Sequence, residues 1–94
     1  MNRNRRKAIY AIKDDLKTLQ DQVAAINSRI CSIKSQEEAY IKNIPQNMQF
    51  GEKCFIADRA VSNLDDAQEC VDDIVEAISD AICHLDNATN TWEV

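Results

Sequence analysis

The side chains of this chain that could do chemistry are few, and their spacing does not assemble a reaction centre. Four cysteines, Cys31, Cys54, Cys70 and Cys83, stand 23, 16 and 13 residues apart, and no two form a C-x-x-C pair. Structural zinc draws on two close ligand pairs, and the single histidine, His84, cannot complete such a set. His84 directly follows Cys83 on one helical turn, a poor arrangement for a thiol and its base. There is no glycine-rich phosphate loop and no H-E-x-x-H. The carboxylates of the second half, among them Asp65, Asp66, Asp72, Asp73, Glu76 and Asp80, fall chiefly on the outer face of a helix, where charge serves solvation. These residues predict no enzyme, no metal and no cofactor, with the cysteines reduced and placed on seam flanks and surface.

The elements that must position any site are written in heptads. Between Ile9 and Ile44, ten of eleven a/d positions are apolar. The a series is Ile9, Leu16, Val23, Ile30, Glu37 and Ile44, and the d series is Ile12, Leu19, Ile26, Ile33 and Tyr40. A second run repeats the 3-4 spacing from Ala57 through Leu64, Val71, Ile78 and Leu85 to Trp92, with Ala60, Ala67, Ile74, Ala81 and Ala88 between them. Such repeats specify two long helices burying a narrow seam. Pro45 and Gly51, the only residues of their kinds, sit between the runs, and proline disfavours helix at the residue before it. The expectation is a single all-α domain over residues 1–94, an antiparallel coiled-coil hairpin. Helix one spans about residues 4–43, the turn about 44–51 and helix two about 52–88. Folding about Met48 and Gln49 pairs residues whose numbers add up to 97. Ile33 then meets Leu64, Ile26 meets Val71 and Leu19 meets Ile78, while Ile30, Leu16 and Ile9 face Ala67, Ala81 and Ala88, large against small.

Near the turn the seam is interrupted. Glu37 takes an a position and Lys53 a d position, with Tyr40 between them and Arg59 close by. A solvated hairpin end accounts for such residues at little cost. A polar binding site of Glu37, Tyr40, Lys53 and Arg59 accounts for them as well, and a charged a residue can also set register.

Charge is divided between the halves. Residues 1–45 carry nine Lys/Arg against five Asp/Glu, and residues 46–94 carry two against eleven, +4 and −9 for a net −5. Opposite signs favour the intramolecular pair, and Asp15 is expected near His84. The acidic second helix argues against nucleic-acid binding by the basic start, residues 1–7, which has no interleaved aromatics. The second helix also carries Cys54, Val61, Val75 and Ile82 at e positions, beyond the a/d seam, facing the polar e residues Lys13, Gln20, Asn27 and Lys34. That surplus, and the thin core two helices make, predict a homodimer joined through Cys54, Val61, Val75 and Ile82 into a four-helix bundle. No apolar run reaches the roughly 18 residues of a membrane span, and the start has no signal-peptide core. The expected location is the cytoplasm, with no membrane partner.

One resemblance is carried by the turn. Asn43-Ile44-Pro45-Gln46-Asn47-Met48-Gln49, flanked by Gln36-Glu37-Glu38-Ala39-Tyr40 and by Ala60-Val61-Ser62-Asn63-Leu64-Asp65-Asp66-Ala67, resembles a group of small acidic coiled-coil proteins encoded by phages, prophages and conjugative elements of Firmicutes. Its members pair a basic start and heptad helix with an Asn-Ile/Leu-Pro-x-x-Leu/Met-Gln turn and an acidic, Ala-rich second helix. The group has no assigned activity, and Phe50-Gly51 departs from its polar, Ser-containing entry to the second helix. Ala60, Leu64 and Ala67 are also similar in spacing to the helical hairpins with which phages sequester cyclic-nucleotide immune signals, a spacing shared by many coiled coils.

The resemblance and the absence of catalytic groups imply a non-enzymatic accessory protein of a mobile element that acts by binding. Its target would be a host protein, such as a defence component, or a small signalling nucleotide in the host cytoplasm. The alternatives are a purely structural coiled-coil oligomerisation module and nucleic-acid binding through the basic tail.

Overall fold

The structure is a computed structural model describing residues 1–48 and 51–90. Two helices form a hairpin: α1, Arg3–Lys42, and α2, Glu52–Asn90, joined by the short 3-10 turn Gln46–Met48. No strand occurs among the described residues. The expected Trp92 at the end of the second apolar run lies outside them.

Local chemistry sets the boundaries. Asn2 caps α1 by accepting the backbone N–H of Arg5 on its side-chain oxygen at 2.8 Å, satisfying one of the orphan donors of a helix start. α1 closes with the N–H of Asn43 on the carbonyls of Ala39 and Tyr40, two residues before Pro45, where helical backbone is disfavoured. The Pro45 carbonyl then accepts the N–H of Met48 at 2.8 Å, and the Met48 carbonyl that of Gly51 at 3.0 Å. A Cβ at position 51 would stand 3.1 Å from the Met48 carbonyl oxygen, so the turn is tight where the only glycine falls. The Gly51 carbonyl accepts the N–H of Cys54 and of Phe55, which starts α2, and Glu52 places a negative charge in its first turn, where the helix dipole favours one.

The chain divides into two compact units, Ala25–Asp72 and Met1–Ala24 with Asp73–Val94. In the unit that contains the turn, Cys54 and Ala57 are buried, and Ile30, Ile41, Ile44, Val61, Leu64, Ala67 and Val71 are half-buried. In the other unit, Val23 and Ile78 are buried, and Ile9, Leu16, Val75, Ala81, Ile82 and Leu85 are half-buried.

Both units correct the expected seam in the same way. The a residues of α1 turn inward, but its d residues do not: Ile12 and Leu19 in one unit, and Ile26, Ile33 and Tyr40 in the other, are exposed. Their place beside the a row is taken by the e residues Lys13, Gln20, Asn27 and Lys34, all half-buried. On α2 the e row joins the a row, with Val61, Val75 and Ile82 half-buried and Cys54 buried within the hairpin, while of its d row Ala60, Ala67, Ala81 and Ala88 are half-buried and Ile74 is exposed. The e residues are not the free stripe on which a subunit contact was expected. The physical reason lies in α2, whose d row is mostly alanine and whose e row carries larger apolar groups. Turning the e row inward hides more apolar surface, and the long e side chains of α1 lay their stems over it while their polar heads reach out.

Candidate functional site

The turn-containing unit has two adjoining clefts. The larger, about 800 Å³, is lined by Tyr40, Asn43, Ile44, Pro45, Asn47, Met48, Gly51, Glu52 and Lys53. The smaller, about 380 Å³, is lined by Glu37, Tyr40, Lys53, Ile56 and Ala57. Tyr40 and Lys53 line both. The heptad interruption thus brings Glu37, Tyr40 and Lys53 to one cleft, while Arg59 is exposed and lines neither. Asn43 and Asn47 at the turn and Glu52 and Ile56 in the first turns of α2 are additional lining residues that heptad reading does not single out, because they stand in the turn or off the a and d rows.

The polar groups available there are few. Lys53 supplies an ammonium, Tyr40 a hydroxyl that donates and accepts, and Glu37 a carboxylate. Among the lining residues, Met48 is 53% exposed and Ile56 is 60% exposed. Apolar surface gathered round a few polar groups is the make-up of a binding cleft.

A polar ladder closes one side of each unit. In the unit containing the turn, the Asn27 amide donates to the Asp72 carboxylate at 3.2 Å, and Lys34 pairs with Asp65 and, at 3.7 Å, with Glu38. In the other unit, the Gln20 amide donates to the Ser79 hydroxyl at 2.9 Å, and Lys13 pairs with Asp86 while lying over the Tyr10 ring. The residue numbers of all four cross-helix pairs add up to 99, two beyond the 97 read from the apolar layers. The long e residues of α1 reach a b residue of α2. The hydrogen bond to Asp65 holds the Lys34 ammonium above its ordinary range, against a downward pull from desolvation. The expected partners Asp15 and His84 are both exposed.

All four cysteines are free thiols. Burial, with help from the neighbouring Asp58 carboxylate, pushes the Cys54 thiol up, which disfavours the reactive thiolate. Among the described residues no group of three His, Cys, Asp or Glu side chains could hold a metal ion. No helix among them is long and apolar enough to cross a membrane. Comparison with protein-family models, curated proteins and solved structures finds no match to this chain.

Proposed function

We propose that this protein is a non-enzymatic binding protein, an accessory factor of a mobile element, that engages its target through the turn end of the hairpin and works as a homodimer forming a four-helix bundle. One observation carries the reading of the site. Glu37 holds a half-buried a position where leucine or isoleucine would give more stability, and it shares one cleft with the exposed Tyr40, Lys53 and Ile56. Local inconsistency of this kind gathers at functional sites. The target is a host protein or a small signalling nucleotide, both of which the cleft chemistry admits: apolar contact, one cation, and donors for carbonyl or phosphate oxygens.

The test sets stability against binding. Glu37→Leu with Lys53→Leu replaces charges by apolar groups, so it is expected to raise the melting temperature by a few degrees, about 0.5–1 kcal/mol. The same change is expected to weaken binding at least about tenfold, the loss of one or two charge-assisted contacts. Capture from host lysate and a thermal-shift series of nucleotides supply the readout. Binding unaltered in the double variant would return Glu37 and Lys53 to a solvated hairpin end. A second reading, a structural oligomerisation module, is favoured by the exposed d row of α1 and predicts assembly with no response to any small molecule.

A further inference from the structure

The polar ladder joins e residues of α1 to b residues of α2, and so marks one side of the helix pair in each unit. In antiparallel helices the sense of rotation reverses, so equivalent heptad positions lie on the same side of the pair. The d rows of both helices therefore face the side opposite the ladder. In the unit containing the turn, that side presents Ile26 and Ile33, 45% and 54% exposed, next to Ala60 and Ala67. In the other unit it presents Ile12 and Leu19, 49% and 43% exposed, with Ile74, 48% exposed, next to Ala81 and Ala88.

The rows outward of it on α1 carry little charge. The g positions beside it are Ala8, Asp15, Gln22, Arg29, Gln36 and Asn43, with two charges among them, and the c positions beyond are Ala11, Thr18, Ala25, Ser32 and Ala39, all exposed and all uncharged, whereas the exposed faces of helices in water carry charge.

We infer that the occupant of this face is a second copy of the hairpin, related by a two-fold axis parallel to the helices, so that α1 of each copy lies on α2 of the other and the two turns share one end. This rests on the dimer reading above and supplies its geometry. Size complementarity selects the arrangement. Ile33 seats between Ala60 and Ala67 of the partner subunit, and Ile12 between Ala81 and Ala88 of the partner subunit, as knobs in small-residue holes. Charge selects it too, since α1 carries nine basic and five acidic residues, and α2 two basic and ten acidic. The other two-fold choice, with its axis across the helices, would stack α1 on α1 and α2 on α2, placing like charges and isoleucine rows together. The selected arrangement also sets Tyr40 between Lys53 and Ala60 of the partner subunit, so each turn-end cleft gains a wall from the second copy and two such clefts open at one end.

Sedimentation of the full chain at tens of micromolar is expected to give a dimer. Ile26→Glu with Ile33→Glu is expected to raise its dissociation constant at least about a hundredfold with helical circular dichroism retained. A wild-type monomer overturns both this inference and the dimer reading. A folded variant that stays dimeric overturns the chosen face alone. The wild type itself tests the arrangement through amine cross-linking of mixed unlabelled and nitrogen-15-labelled chains. Links between copies joining Lys42 or Lys53 to Lys42 or Lys53 are expected, whereas links joining them to Lys7 of the other copy, at the far end of α1, overturn the shared-end geometry.

Discussion

At the scale of single residues, the half-buried polar row of α1 decides more than the apolar knobs do. Lys34 shows why. Its aliphatic stem covers part of the hairpin seam while its ammonium meets Asp65 and Glu38, and the hydrogen bond to Asp65 holds that ammonium above its ordinary value of 10.5. A group whose folded value is raised is bound to its proton more tightly in the folded chain. Its contribution to stability is complete below the unfolded value and is lost as the pH rises through the folded one. Lys34→Met is therefore expected to lower the melting temperature at pH 8, and that difference from wild type is expected to shrink as the pH climbs past 10.5. Melting curves across that range decide it, and a difference independent of pH would place the effect in the stem and not in the charge. Asn27 makes a similar point: its amide nitrogen reaches Asp72, but its oxygen Oδ1 is buried without a hydrogen-bond partner. Such a group costs stability, and a polar residue at a seam position is a known means of fixing register.

At the scale of elements, the question is which face each helix gives to the other. Val75 and Ile82 lie half-buried within the hairpin, so Val75→Glu with Ile82→Lys introduces two charges into the seam. The expected cost is about 3 kcal/mol, or roughly 10–20 °C in melting temperature, with loss of helical signal on mild heating. The contrast with Ile26→Glu and Ile33→Glu, expected to stay folded, is what circular dichroism of the two double variants would measure. Full helicity and an unchanged melting temperature in the Val75/Ile82 variant would mean that the e row lies outside the seam. The turn obeys a different constraint from either helix. Space favours glycine at position 51, since a side chain beginning 3.1 Å from the Met48 carbonyl oxygen would make the turn give by a few tenths of an ångström.

At the scale of the whole molecule, stability and assembly are linked. The hydrophobic residues buried among those described are only Val23, Cys54, Ala57 and Ile78, a thin core for a chain of 94 residues. A dimer that hides the d rows would supply what the hairpin lacks, and association that favours the folded state makes stability depend on concentration. The melting temperature is expected to rise by several degrees as the protein is taken from one to one hundred micromolar, in ordinary scanning calorimetry. A value constant over that range would indicate a hairpin that folds alone.

Much of this was written in the residue spacing. The helical period of the two apolar runs, the stop at Pro45, the return at Gly51 and the closeness of Glu37, Tyr40 and Lys53 all follow from local rules: backbone sterics, helix periodicity and the shortness of the connection. The a rows, above all Val23, Ile78 and Ala57, were legible as inward for the same reason. Which second row would join them was not. The sequence offers α2 an alanine d row and a valine-rich e row, and offers α1 the opposite, isoleucine at d and polar residues at e. A heptad repeat ranks each helix by itself and follows its own richest stripe, which on α1 is a and d. Two helices packed together must instead turn jointly, and only tertiary structure could decide that the e row of α2 and the stems and heads of Lys13, Gln20, Asn27 and Lys34 outweigh the isoleucines of α1, because that balance is a property of the pair and of neither helix alone.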